Sequence, residues 1–179
     1  MNVDDLIDIL IAHEGGYCDN PADHGGKTRW GITERIARQH GYGGEMRALP
    51  RAEAVDIYRR RYWAGPGLDA IAVRAPDVSA ELFDTGVNMG PATAISFLQR
   101  ALNALNRGGH DYPDIIVDGH GGPATLGALD AFLARRTPGG EAVLVKAIEA
   151  LRGALYVTLA EAHPADEAFL YGWLANRIG

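Results

Sequence analysis

The chain has little that would run chemistry through sulfur, a membrane or a polyanion. A single cysteine, Cys18, stands among 179 residues. One thiol closes no internal disulfide and supplies no multi-thiolate metal site. No window reaches the ~18 to 20 apolar residues of a membrane span, so no stable membrane insertion is expected. The opening MNVDDLIDILIAH is interrupted by Asp4, Asp5 and Asp8 and lacks a basic start and a small-residue cleavage site. It does not read as a signal peptide, and synthesis as a soluble cytoplasmic chain is expected. Cations are outnumbered: 17 Lys and Arg face 23 Asp and Glu, a net charge of −6. Phosphate attraction needs a basic patch, so a nucleic-acid partner is not expected. The small cluster Arg59, Arg60 and Arg61 reads as a solvated helix face. Alternating apolar and polar runs are also missing, apart from an extended candidate at 115–117.

What is present is helical periodicity. Asn2 can cap a first helix, with Asp4 and Asp5 in its first turn. Pro50 suits a first helical position, with Tyr58 and Tyr62 one turn apart. Val78, Leu82, Gly86 and Met89 make one apolar stripe, and Ile95, Leu98, Leu102 and Leu105 make the next. Leu126, Leu129 and Leu133 follow, then Leu144, Ile148, Leu151, Leu155 and Leu159. Phe169, Leu170, Trp173, Leu174 and Ile178 close the chain. The fold class expected is mainly α, with about seven helices. Gly90-Pro91 stops one helix and opens another, which divides the chain into 1–90 and 91–179, packed closely. One continuous helical unit is the other reading. Two non-helical stretches, 15–32 and 108–123, are long enough to carry function.

The first of these begins with a misplaced acid. Val3, Ile7 and Leu10 form the seam of the first helix, and Glu14 takes the next seam position. A carboxylate there is costly to bury. Partial burial and the negative end of the helix both favour its protonated form. A carboxylic acid protonated near neutral pH is what a glycosidic leaving oxygen requires. Gly15-Gly16 ends the helix without side-chain bulk beside the carboxyl. Asp23 is a candidate second carboxylate, and Thr28 a candidate holder of the water. The same two residues also suit a turn shaped with Asn20, Pro21, Gly25 and Gly26.

Other residues carry weaker signals. Tyr17, Tyr62 and Trp63 are candidate stacking platforms for sugar rings, or ordinary core, and Trp30 is a lesser candidate. Glu81, Asp84 and Asn88 make a polar stripe that faces either a substrate cleft or solvent. Asp118 opens the tight segment DGHGGP, which either binds glycan or stem peptide or is purely structural. A thiol amidase or peptidase built on Cys18 is disfavoured, because Cys18 follows a helix C-terminus, which disfavours a thiolate. A zinc amidase built on His13, His24, Asp19 and Asp23 lacks ligand pairs at helical spacing. No metal and no cofactor are expected. A non-catalytic wall-binding accessory remains the third class.

The string EGGYCDNPADHGGKTRWGIT, from Glu14 to Thr33, resembles the signature of the glycoside hydrolase family 108 lysozymes. These are N-acetylmuramidases of phage endolysins and bacterial secretion-linked muramidases. RRYW at 60–63, FDTGVNMGP at 83–91, VDGHGGPATL at 117–126 and FLYGWLANR at 169–177 continue the resemblance in order. It covers nearly the whole chain, and the second half resembles the helical peptidoglycan-binding domain of that family. The resemblance implies a lysozyme-like helical fold and cleavage of the β-1,4 bond between N-acetylmuramic acid and N-acetylglucosamine. It implies that Glu14 is the catalytic acid, with peptidoglycan glycan strands as substrate, for cell-wall lysis or remodelling. A monomer is expected. Action in the periplasm, reached through a holin or another export route, goes with this reading.

Overall fold

A computed structural model describes residues 2–14, 16–19 and 26–179, the side chains of His13 and Glu14 excepted. These residues form two compact units, Met1–Gly65 and Pro66–Gly179.

The first unit opens with helix α1 (Val3–Glu14). Its start is a reciprocal cap: the Asp5 N–H donates to Asn2 Oδ1 at 2.9 Å, and the Asn2 N–H donates to Asp5 Oδ2 at 3.0 Å. Two otherwise orphaned donors are satisfied at once. Ile7, Leu10 and Ile11 are buried, each worth about 1.5–3 kcal/mol of burial. On the wet side, Asp4 pairs with Arg59 and Asp8 with Arg51. A hairpin follows, β1 (Thr28–Arg29) against β2 (Ile32–Thr33), then α2 (Glu34–Gln39). Thr33 caps α2 by accepting the Ile36 N–H at 3.3 Å. A 3₁₀ turn at Met46–Ala48 leads to α3 (Arg51–Ile57), which runs into a π-helical stretch, Tyr58–Ala64. The Gly65 N–H reaches back five residues to the Arg60 carbonyl at 2.8 Å.

The second unit contains α4 (Leu68–Ala72), α5 (Pro76–Met89), α6 (Pro91–Leu105), α7 (Pro123–Arg135), α8 (Gly140–Ala162) and α9 (Glu167–Arg177). Prolines open α5, α6 and α7, where a missing N–H costs nothing. The long α8 packs against α5, α6 and α9 around Val78, Leu82, Phe83, Ile95, Leu98, Leu102, Leu144 and Ile148. Its first turn also caps another helix. Glu141 Oε1 accepts the Asp77 N–H at 2.7 Å and the Val78 N–H at 3.3 Å, at the start of α5.

The architecture is mainly α, as the periodicity indicates, with several differences in detail. The described residues hold nine α-helices instead of about seven, because α2 and α4 span only 6 and 5 residues and are too short to print a period. The extended candidate at 115–117 is not a strand. The Ile115 N–H donates to Asn103 Oδ1 at 2.9 Å and its carbonyl accepts from Asn103 Nδ2 at 2.8 Å, so a side chain replaces a strand partner. Pro50 is the cap of α3, one position before its first residue. In α8 the buried line is Leu144, Ile148, Arg152, Tyr156 and Ala160, one residue round from Leu151, Leu155 and Leu159. In α9 no residue is buried, and Phe169 and Leu174 of its apolar set are exposed. The compact units divide at Gly65–Pro66, upstream of Gly90-Pro91, because α4 packs on α5 and α5 packs on α6 and α8.

Candidate active site and wall-binding half

Glu14 is the last residue of α1, one turn beyond the buried Leu10 and Ile11. Its side chain and the whole of Asp23 lie outside the described residues, and so do Gly15, Asn20, Pro21, His24 and Gly25. The chain that follows is fixed at its two ends. The Cys18 N–H donates to the Thr28 carbonyl at 3.0 Å, and the Thr28 N–H donates to the Cys18 carbonyl at 2.9 Å. Four residues of chain reach at most about 14 Å, which bounds the span from the end of α1 to Cys18.

Thr28 is half-buried and opposite Thr33 in the hairpin. The two-residue turn between the strands is Trp30-Gly31, with φ of 53° and 74°. Both central residues at positive φ is the requirement of a type I′ turn, which suits Gly31 and strains Trp30. Trp30 is held there by two polar contacts. Its indole Nε1–H donates to the Leu49 carbonyl at 3.0 Å, and its own carbonyl accepts the Tyr58 hydroxyl at 3.0 Å. Trp30 therefore anchors the hairpin to the start of α3 and the π-helical stretch.

Tyr17 lines an open cleft of about 300 Å³ with Asp19, Lys27, Glu34, Glu45 and Arg47. Its hydroxyl donates to Asp19 Oδ2 at 3.0 Å, and the Arg47 guanidinium lies 4.6 Å from its ring centre. A cation over the ring face fixes the tyrosine beside the signature segment. Tyr62 and Trp63 differ from their expected role. Each is only 6 % exposed, so neither ring opens a face to a sugar; Tyr62 packs on Tyr58 with ring centres 5.7 Å apart. They belong to the core because the π-helical stretch turns them inward with Tyr58. Cys18 is exposed and contributes its backbone to the bridge.

In the second unit the polar stripe meets a buried cation. Arg152, 3 % exposed, donates from Nη1 to Asp84 Oδ2 at 2.6 Å and to Thr85 Oγ1 at 3.3 Å, and its Nη2 lies 3.3 Å from Glu81 Oε1. Arg177 adds a contact to Asp84 Oδ1 at 3.5 Å. Burial pushes the Glu81 carboxyl up to about 7, against the pull of Arg152 and the hydrogen bond from Thr85. Asp84, expected at a substrate cleft, is thus engaged by two arginines. Asn88 is exposed, and its Nδ2 donates to the Asp84 carbonyl at 2.8 Å.

Asp118 also has an internal task. Its Oδ1 accepts from Gln99 Nε2 at 2.8 Å and from the His120 N–H at 2.9 Å. The Gln99 hydrogen bond, then the His120 N–H, hold its carboxyl below the usual range. Buried Gln99 further accepts the Gly119 N–H at 2.9 Å and donates to Thr125 Oγ1 at 3.0 Å. At Gly119, φ is 74° and an added Cβ would stand 2.9 Å from the Ala92 carbonyl. The segment is built on Gln99, and the substrate role expected for Asp118 has a structural competitor.

Residues 7–90 match the family described as glycosyl hydrolase 108, and residues 93–178 match the predicted peptidoglycan domain. The first half of the chain, residues 7–90, belongs to the glycosyl hydrolase 108 family. The second half is a peptidoglycan domain, so peptidoglycan is the substrate polymer, and the protein is a lysozyme-like peptidoglycan hydrolase of the glycosidase class. The structure of Brucella abortus SagA is similar, with a TM-score of 0.63 over 98 % of this chain and 95 % of that chain. At 24 % identity that likeness is one of fold. No curated protein matches the chain. The family boundary at 90–93 and the compact-unit boundary at 65–66 thus fall in different places.

Sequence reasoning missed Arg47 and Arg152. Nothing local marks Arg47. Arg152 had a signal: it stands in the buried line of α8, one turn after Ile148, as Glu14 stands one turn after Leu10.

Proposed function

We propose that this glycosyl hydrolase 108 protein is an N-acetylmuramidase that cleaves the β-1,4 bond between N-acetylmuramic acid and N-acetylglucosamine. Glu14 protonates the leaving oxygen as the bond breaks. Asp23 steadies the positive charge on the sugar or directs water to it, and Thr28 holds that water. Residues 1–90 carry the chemistry and residues 91–179 hold the polymer. The protein acts on the wall, beyond the inner membrane, through a separate export route.

One observation carries the assignment: the bridge between Cys18 and Thr28 closes the signature segment directly behind the residue that ends α1. A glycosidase needs an acid and a second polar group at one bond; the closure fixes the backbone of Thr28, and Glu14 and Asp23 are assigned from the signature in which they stand.

Mass spectrometry of products from purified peptidoglycan tests the reaction. New reducing ends on N-acetylmuramic acid are expected. Free amines on stem peptides alone would replace this reading with amidase or peptidase chemistry. Glu14→Gln keeps size and hydrogen bonding but cannot donate the proton, so the rate should fall by ~10² to 10⁴-fold with folding intact. A folded Glu14→Gln protein with most of its activity would remove Glu14 from the mechanism.

A further inference from the structure

The segment between α6 and α7 passes from Pro113 to Asp118 without a turn or a bend. Side chains fix its course. Buried Tyr112 donates its hydroxyl to the Leu102 carbonyl at 2.8 Å, and Asn106 Nδ2 donates to Asp114 Oδ1 at 2.6 Å. Asn103 holds both backbone groups of Ile115. Farther on, Gly119 lies against Ala92, near the start of α6. From Asn103 back to Ala92 is about three turns of helix, roughly 16 Å, and Ile115 to Gly119 covers about 13 Å when extended. The segment is therefore extended and runs antiparallel to α6.

In extended chain, one residue turns its N–H and C=O to one edge and the next residue turns them to the other. Ile115 and Gly119 use the edge toward α6, where Asn103 and Gln99 meet them. Asp114 and Ile116 therefore present theirs at the outer edge, and none of those groups has a hydrogen-bond partner among the described residues. Ile116 is 81 % exposed and Val117 43 %. Unpaired backbone beside exposed β-branched side chains is a template for another strand. The side chains of Asp114, Ile116 and Asp118 share one face. Both acids are exposed, and each commits Oδ1 to an internal donor, which leaves Oδ2 open.

Charge selects the occupant. A second copy added antiparallel about Ile116 would set Asp114 opposite Asp118, and a parallel copy in register would set each acid beside its twin; both arrangements repel. We propose that 114–118 is an open strand edge for an extended segment of a protein partner, in which two cationic side chains flank an apolar one in alternating order. The apolar residue packs on Ile116, the cations meet Asp114 and Asp118, and the backbone of the guest pairs with that of Asp114 and Ile116. Main-chain bonds supply the hold, and alternate side chains supply the choice. The stem peptides of the wall mix D and L residues, so their side chains do not alternate across a strand as this face requires. The proposal goes beyond the hydrolase reading and does not depend on it.

The full-length protein titrated with the capped peptide lysine–threonine–valine–threonine–lysine provides the test, followed by backbone ¹⁵N–H signals. A saturable shift of the Ile116 signal, the one lost in Ile116→Pro, is expected. N-methylation of the valine, whose N–H faces the edge, should weaken binding about 10-fold or more; N-methylation of a threonine, whose N–H faces away, should change it by less than about 2-fold. Ile116→Pro removes the edge donor and no internal bond, and proline suits extended chain, so the folded variant should bind at least about 10-fold more weakly. Asp114→Asn keeps an acceptor for Asn106 and should weaken binding about 2- to 5-fold at low salt, with no difference at 1 M salt. An unmoved Ile116 signal, full affinity of the N-methyl-valine peptide, or equal affinity for the peptide with glutamates in place of the lysines overturns the proposal. So does a shift that follows protein concentration without peptide, which makes a second copy the occupant. Displacement of the peptide by soluble disaccharide-peptide fragments of peptidoglycan also overturns it, and makes the edge part of wall binding. The N-methyl comparison needs no protein variant, so it decides even if Ile116→Pro fails to fold. Peptidoglycan products are followed in parallel. Hydrolysis with an unmoved Ile116 signal removes the edge and leaves the enzyme, and a peptide-dependent shift without products removes the hydrolase reading and leaves the edge.

Discussion

The two compact units keep their charges in opposite places. In Met1–Gly65 the ion pairs lie outside: Asp4 with Arg59, Asp8 with Arg51 and Asp56 with Arg60 are all more than two-fifths exposed at both partners. In Pro66–Gly179 the central cation is inside: Arg152 is 3 % exposed and joins Glu81, Asp84 and Thr85. Exposed pairs are screened by water and salt and stabilise little. A buried guanidinium has no such substitute, so its partners fix which helices meet. The unit with the hydrolase signature is therefore held chiefly by apolar seams and a few polar anchors such as Trp30. The other is pinned by side chains far apart in sequence.

The sharpest way to break this contrast is Arg152→Met, which leaves Glu81 and Asp84 without their buried cation. It should cost about 3–5 kcal/mol in urea unfolding followed by circular dichroism. A loss under 1 kcal/mol would place the second unit in the same class as the first.

The same network gives a pH signature. Burial holds Glu81 at about 7 in the folded chain against an ordinary 4.5, so the folded state keeps the proton more tightly. Stability from this group is fully present below about pH 4.5 and is lost as the pH rises to about 7, a change on the order of 3 kcal/mol. Glu81→Gln should flatten that slope. An unchanged slope in the variant would assign the pH dependence to other groups.

Gln99→Met should come next, at about 1–3 kcal/mol, because it strands the Gly119 N–H and removes the donor to Asp118 and Thr125. In the first unit, Trp30→Phe keeps the ring and removes the donor to Leu49, with an expected cost of about 1 kcal/mol. Asp8→Asn should cost about 0.2–1 kcal/mol at low salt and nothing measurable at 1 M salt. A salt-independent loss there would show that the first unit also relies on a desolvated pair.

Much of the fold was legible in the sequence. The stripes Val78–Leu82 and Ile95–Leu98–Leu102 are buried as periodicity requires, and Asn2 caps α1 as its composition suggests. The hairpin was not legible in the sequence, since two residues per strand display no period and Trp30 is not a residue type that favours the positive φ of its turn. In α9 an apolar stripe was legible and burial was not. Phe169, Trp173 and Leu174 have the spacing of a core helix, and Phe169 and Leu174 remain exposed.

The sequence alone determined the helical class, the position of Glu14 at the end of an apolar seam and the signature segment that follows it. These depend on spacing within one turn or one loop, where the physics is local. Tertiary structure decided the partners. Asp84 and Asn88 read as a free polar stripe until Arg152, 68 residues after Asp84, was placed against it. Asp118 read as a candidate ligand until Gln99 was found beneath it. Tyr62 and Trp63 read as platforms until the π-helical stretch turned them inward. A side chain's type states what it can bond, and only the packing of distant segments states which bond it makes.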